Sequence, residues 1–163
     1  MSEQQKRKVI YIIGSLRNLE IPKIANQLRI LPYEVFDDWY SPGPEADDYW
    51  RDYEKGKGST YRVALKGHAA RHIFEFDRKH LDRADIVVMV MPSGRSGHLE
   101  LGYAIGRGKE GYILFDHEPE RFDVMHGFAT DIFFSLEELM EHLRNKYDTN
   151  TGIDKASEDY YSI

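Results

Sequence analysis

Five short apolar runs punctuate an otherwise polar chain: Val9–Ile13, Tyr33–Phe36, Ile86–Met91, Tyr112–Phe115 and Ile132–Phe134. The first, third and fourth are nearly uninterrupted and rich in Val and Ile, as strands buried on both faces are. Helical periodicity fills the intervals. A helix is expected from Ile21 to Ile30, with Pro22 suited to its first turn. Residues Thr60 to Leu81 read as one long helix, and Gly97 to Gly108 as a short one with Leu101, Ala104 and Ile105 at helical spacing. Ser135-Leu136-Glu137-Glu138 forms a capping box, after which Leu136, Leu139, Met140 and Leu143 mark an apolar stripe. Strands alternating with helices predict an α/β domain with a doubly wound, five-stranded parallel sheet flanked by helices, in the expected order 2-1-3-4-5.

Two stretches stand outside this pattern. Residues Asp37 to Ser59 hold Ser41-Pro42-Gly43-Pro44, several acids and five large aromatics, and read as a long functional loop. From Asp148 the chain is polar until Tyr160-Tyr161-Ser162-Ile163. The expected organisation is one domain over residues 1–147 and a polar tail over 148–163, which is either loose or docked on a neighbouring subunit.

Composition narrows the function classes. A chain of 163 residues buries a sizeable core without staples. It contains no cysteine, which excludes disulfides, thiolate metal sites and a cysteine nucleophile. Its net charge of −6 offers no broad attraction for nucleic-acid polymers or anionic membranes. No apolar run approaches the roughly 20 residues of a membrane span, and no secretory signal precedes the first strand. A cytoplasmic protein is expected.

Ligands of open parallel sheets bind at the carboxyl ends of the strands where strand order reverses, here between strands one and three. Strand one exits into Gly14-Ser15-Leu16-Arg17-Asn18, which is either an ordinary turn or a cradle for an anion or sugar hydroxyl. Strand three exits into Pro92-Ser93-Gly94-Arg95-Ser96-Gly97-His98-Leu99-Glu100. Backbone N–H groups at the next helix favour an anion. Glu100 is expected in the first helical turn, kept ionised by the helix dipole; it is a candidate nucleophile or merely a favourable first-turn acid. Asp77 shares a helix face with Ile73, Phe74 and Leu81, so it has either a buried partner or a task. His98 adjoins the candidate site and is placed to contact substrate. His68 and His72, at i and i+4, fit a solvated face better than a metal site, because Ala69-Ala70 replaces the expected acid. No metal or cofactor is expected, and neither a P-loop nor a dinucleotide fingerprint is present.

Three segments together resemble the nucleoside 2-deoxyribosyltransferase superfamily: Tyr11 to Asn18; Phe76-Asp77-Arg78 with Ala84 to Val88; and Gly94 to Ala104, with Gly108-Lys109 after it. Order and spacing agree from about residue 9 to residue 145, and Glu100-Leu101-Gly102-Tyr103-Ala104 is the most specific piece. The resemblance implies a flavodoxin-like, Rossmann-like fold and cleavage of the N-glycosidic bond of a nucleoside or its 5′-monophosphate. It places the nucleophile on Glu100, the proton-handling acid on Asp77 and an orienting hydroxyl on Tyr11. Gly14-Ser15-Leu16-Arg17 is similar to the phosphate loop of the related 2′-deoxynucleoside 5′-monophosphate N-hydrolases. Where the transferases often carry a sugar-binding acid, this chain has Ser93-Gly94-Arg95, which leans the pocket toward an anion.

The expected substrate site therefore comprises Gly14, Ser15, Arg17, Ser93, Gly94, Arg95, Ser96 and His98, with Asp37 and Trp39 from the aromatic loop shaping the base pocket. Three functional readings are open: a transferase acting on nucleosides, a nucleotide N-hydrolase, and a non-catalytic nucleotide-binding or sensing module. The partner is a nucleoside or nucleotide. Self-association as a homo-oligomer is also expected, with Tyr160, Tyr161 and the Asp123–Phe128 segment as candidate contacts.

Overall fold

The computed structural model describes residues 6–151. Five parallel strands form one sheet in the order β2-β1-β3-β4-β5, with β1 at Val9–Ile13, β2 at Glu34–Phe36, β3 at Ile86–Val90, β4 at Glu110–Leu114 and β5 at Asp131–Phe133. Six α-helices accompany them among the described residues: α1 Ile21–Leu28, α2 Ala46–Gly56, α3 Tyr61–Ala64, α4 His68–Arg83, α5 Arg95–Gly106 and α6 Leu136–Thr151. The expected strand order is the observed one.

Side-chain alternation along the strands builds two core layers. Ile10 and Ile12 of β1, with Ile86, Val88 and Val90 of β3, pack with residues of α1 and α6 on one face. Val9, Tyr11 and Ile13, with Val87 and Met89, pack with residues of α4 and α5 on the other. Every residue of β1 and β3 is buried, which explains why these two runs show no polar alternation. Because β1 leads to a helix on one face and β3 to a helix on the opposite face, a crevice opens at their carboxyl ends.

Two expectations on the helices need correction. The long helix read over Thr60 to Leu81 is two helices, α3 and α4, with Gly67 as the N-cap of the second in an extended conformation. The stretch read as a loop from Asp37 to Ser59 contains α2, preceded by a 3-10 turn at Asp38–Tyr40. The capping box holds α6 as expected: the Ser135 hydroxyl accepts from the Glu138 N–H at 3.2 Å, and the Glu138 carboxylate accepts from the Phe134 N–H at 2.9 Å. Helix α6 runs past residue 147 to Thr151, and Tyr160 and Tyr161 lie outside the described residues. Among the described residues no helix is long and apolar enough to cross a membrane.

Candidate active site

A cavity of about 630 Å³ lies at the carboxyl ends of β1 and β3, within the roughly 300–1,000 Å³ of small-molecule sites. Its floor is the backbone leaving those strands. At Gly14 a Cβ would stand 2.5 Å from Ile21 Cδ1, the movable tip of that side chain, so glycine lets the β1 exit lie this close to α1 without displacing it. At Gly97 a Cβ would stand 2.0 Å from Ser93 Oγ and 3.1 Å from Ile13 Cγ2, so glycine brings the first turn of α5 down onto β1. The N-cap of α5, Gly94, offers no side chain to the turn's free N–H groups. Gly94, Ser96 and Gly97 therefore present a polar rim to the cavity beside Ser15 and Arg17.

The roof comes from the segment after β2. Pro42, Pro44, Ala46, Asp47 and Trp50 line the cavity from α2 and its approach, and Trp39 closes the gap to β1. The Trp39 indole N–H donates to the Ile12 carbonyl at 2.7 Å, fastening this segment to the central strand. Glu54, one turn beyond Trp50, is 4% exposed, and its carboxylate accepts from the Lys57 ammonium at 3.2 Å. One of its oxygens lies 3.6 Å from the Cβ position of Gly67 at the start of α4, where an anion is favourable. The third wall is α3 and α4: Leu65, Ala70, Ile73 and Phe74 give an apolar surface interrupted by Asp77.

Of the three acids that line this cavity, Asp47 is exposed while Asp77 and Glu100 are half-buried, and neither of these two makes a hydrogen bond or ion pair among the described residues. Burial pushes the Asp77 carboxyl up to about 6. Burial, and then the charge of Asp77, pushes Glu100 up to about 7. This corrects the expectation that the helix dipole keeps Glu100 ionised. Helix α5 starts at Arg95, so Glu100 is its sixth residue, beyond the first turn where the dipole acts. Within reach of the charges of both acids, Tyr11 is buried and stacked on Phe36 with ring centroids 5.2 Å apart. Burial, with the charges of Glu100 and Asp77, raises its hydroxyl far above the ordinary phenol, so it is a neutral O–H.

Of the residues singled out in the sequence, Gly14, Ser15, Arg17, Trp39, Asp77, Gly94, Ser96 and Glu100 line the cavity together. Four others lie elsewhere. Asp37 is paired with Arg29. Arg95 is exposed and does not line the cavity. The Ser93 hydroxyl is buried under α5 without a hydrogen-bond partner among the described residues. His98 turns outward: its Nδ1–H donates to the Gly94 carbonyl at 2.8 Å, and its ring stacks on His126 with centroids 5.5 Å apart. No group of three or more His, Asp or Glu side chains among the described residues could hold a metal ion.

Sequence reasoning missed Asp47 and Trp50 because it missed α2. The available signal was Ala46, Trp50 and Glu54 at i, i+4 and i+8, with Asp47 and Asp48 in the first turn and Lys55 in the last. A stripe of one alanine, one aromatic and one buried acid does not register as an apolar face.

No family model matches the chain, and no curated protein matches it. Solved structures do. A 2-deoxyribosyltransferase from the psychrotolerant bacterium Bacillus psychrosaccharolyticus is 19% identical, with a TM-score of 0.55 over 81% of this chain and 90% of that one. A conserved protein from Enterococcus faecalis is 12% identical, with a TM-score of 0.59 over 86% and 99%. The CMP N-glycosidase of Clostridium botulinum is 16% identical, with a TM-score of 0.50 over 83% and 98%. The chain has the fold that this 2-deoxyribosyltransferase and this CMP N-glycosidase share.

Proposed function

We propose that the protein is an enzyme of the nucleoside 2-deoxyribosyltransferase superfamily that cleaves or exchanges the N-glycosidic bond of a nucleoside, with Glu100 as nucleophile. The observation that carries this reading is the pair of unpaired, half-buried carboxylates, Glu100 and Asp77, on one cavity at the sheet's switch point. A binding module has no need of two acids whose ionisation burial opposes.

In the forward step a Glu100 carboxylate oxygen attacks C1′, forming an ester as the C1′–N bond breaks. The bond's electron pair leaves with the base, which takes the proton held by Asp77. In the second step a free base or water attacks C1′, the ester bond breaks, and the attacking group's proton returns to Asp77. Two displacements retain configuration. The reactive protonation state is the pair sharing one proton; burial rests that proton mainly on Glu100, and the reactive form is the less populated one in which Asp77 carries it and Glu100 is ionised. Tyr11, a neutral donor within electrostatic reach of both acids, orients Glu100. Trp39, Trp50 and Phe74 supply aromatic surface for the base.

A second reading, hydrolysis of a nucleoside 5′-monophosphate, is favoured by the polar rim of Ser15, Arg17, Gly94 and Ser96 beside the α5 N-terminus. Base release from a panel of nucleosides and 5′-monophosphates, with and without a second free base, separates the two. Release that requires an acceptor base marks a transferase; release in water that requires the phosphate marks the hydrolase. Glu100→Ala is expected to lower either activity by roughly 10³-fold or more. No turnover of any substrate, with equal ligand binding by wild type and variant, overturns the catalytic reading in favour of a sensing module. The same preparations report self-association. We propose it through the exposed apolar side chains of Leu99, Phe122, Val124 and Phe128, and a monomeric mass in solution rejects it.

A further inference from the structure

Arg17 is the one cation lining the cavity among the described residues, against three acids, Asp47, Asp77 and Glu100. Its guanidinium is already engaged: it donates to Asp48 Oδ2 at 3.1 Å, in the first turn of α2. The other oxygen of Asp48 accepts from Arg51 at 2.9 Å. Asp48 therefore has a cation of its own on the same helix, and it stays paired when Arg17 leaves. The Arg17–Asp48 contact is open to water, with side chains 73% and 38% exposed. An exposed pair of this kind is weak and yields to a stronger anion.

We infer that Asp48 is a specificity-determining residue: it occupies Arg17 as an internal anion and so sets how strongly the site prefers a 5′-monophosphate over the free nucleoside. A phosphate must take Arg17 from Asp48, whereas a nucleoside leaves the pair in place. The exchange also releases α2 from the β1 exit, so an anionic substrate loosens one tether of the roof as it binds. This inference rests on the proposed nucleoside or nucleotide site and concerns the roof rather than the acids.

The test uses the chain's only two tryptophans, Trp39 and Trp50, which both line the cavity and report its occupancy by fluorescence. Inorganic phosphate, CMP and cytidine are titrated into the full chain, its Asp48→Asn and Arg17→Gln variants and the double variant. Glu45→Gln serves as a control for loss of a nearby exposed charge. Asp48→Asn is expected to tighten phosphate and CMP by about three- to five-fold relative to cytidine, the range that loss of a weak competing pair allows. Arg17→Gln weakens both anions, and adding Asp48→Asn to it restores nothing. An unchanged phosphate affinity in Asp48→Asn overturns the inference. So does an equal gain in the Arg17→Gln background or in Glu45→Gln, or no saturable phosphate response in any form. The titration needs no turnover, so its outcome is separable from the base-release assay: a chain that obeys the cycle without releasing base loses the catalytic reading alone.

Discussion

The floor and the roof of the cavity are built by different physics. The floor is backbone held by close packing: two glycines admit α1 and α5 to within contact of β1, and Tyr11 is buried within electrostatic reach of the acids. The roof is a short helix held at its edges, by one indole hydrogen bond to Ile12, by Glu54 at the start of α4 and by ion pairs in water. A rigid floor suits groups that must meet a reacting carbon within a fraction of an ångström. A lightly tethered roof suits the admission and choice of substrate. On this division, changes to the floor remove chemistry or fold, and changes to the roof shift preference.

The largest expected effect strikes the two acids, Glu100 on α5 above the floor and Asp77 on the adjoining α4 wall. Asp77→Asn is expected to lower base release by about 10²- to 10⁴-fold, the range for loss of a general acid. In wild type, the rate against pH should be bell-shaped, with flanks at about 6 and about 7, and the Asp77→Asn variant should lack the limb that belongs to deprotonation of the pair. The same two acids act on stability with a definite sign. Their folded-state pKa values are raised, so the folded state binds protons more tightly than the unfolded chain. Stability therefore falls as pH rises from about 4 to about 7 and is level above. Thermal unfolding of Glu100→Gln should show a higher Tm than wild type at pH 8 and no gain at pH 4; a gain at both would locate the effect elsewhere.

Next in size is the packing of the floor. Gly97→Val inserts a branched side chain where even a Cβ meets Ser93 and Ile13, and it is expected to cost about 1–3 kcal/mol in urea unfolding. A variant with wild-type stability would mean that α5 can rise off the strand, and the contrast with the roof would fade. The smallest effect belongs to the roof. Trp39→Phe keeps an aromatic side chain, smaller than the indole, and loses the bond to Ile12, which is worth about 0.5–1.5 kcal/mol. Its expected signature is a raised KM with kcat nearly kept. A fall in kcat of the size seen for Asp77→Asn would make the roof part of the chemistry and dissolve the comparison.

The floor was legible in the sequence and the roof was not, for reasons of the same kind. Doubly buried strands such as Val9–Ile13 announce themselves by composition, and topology then dictates that Gly14 to Arg17 and Gly94 to Glu100 converge. Helix α2 buries little beyond Ala46, Trp50 and Glu54, so it leaves only a faint stripe. Gly67 breaks the long helix because it begins a new one, a distinction that periodicity blurs. Which way a loop side chain turns is settled by partners distant in sequence. Arg29 claims Asp37 and His126 stacks on His98, while Arg95 is exposed and takes no part in the cavity lining. The ionisation of Glu100 escapes a reading of its own helix because it depends on burial among other elements.

Strand β2 lies at the edge of the sheet and pairs with β1 by three residues, and the roof is spliced in directly after it. An edge position with so short a ladder tolerates a change in the length of the segment downstream at modest entropic cost, since no inner strand must re-register. The segment from about residue 41 to residue 58 is therefore a natural cassette. An engineer can graft or randomise it to reshape the cavity while Asp77, Glu100 and the exits of β1 and β3 stay untouched, and the same geometry gives evolution a way to vary what the cavity admits without rebuilding its floor.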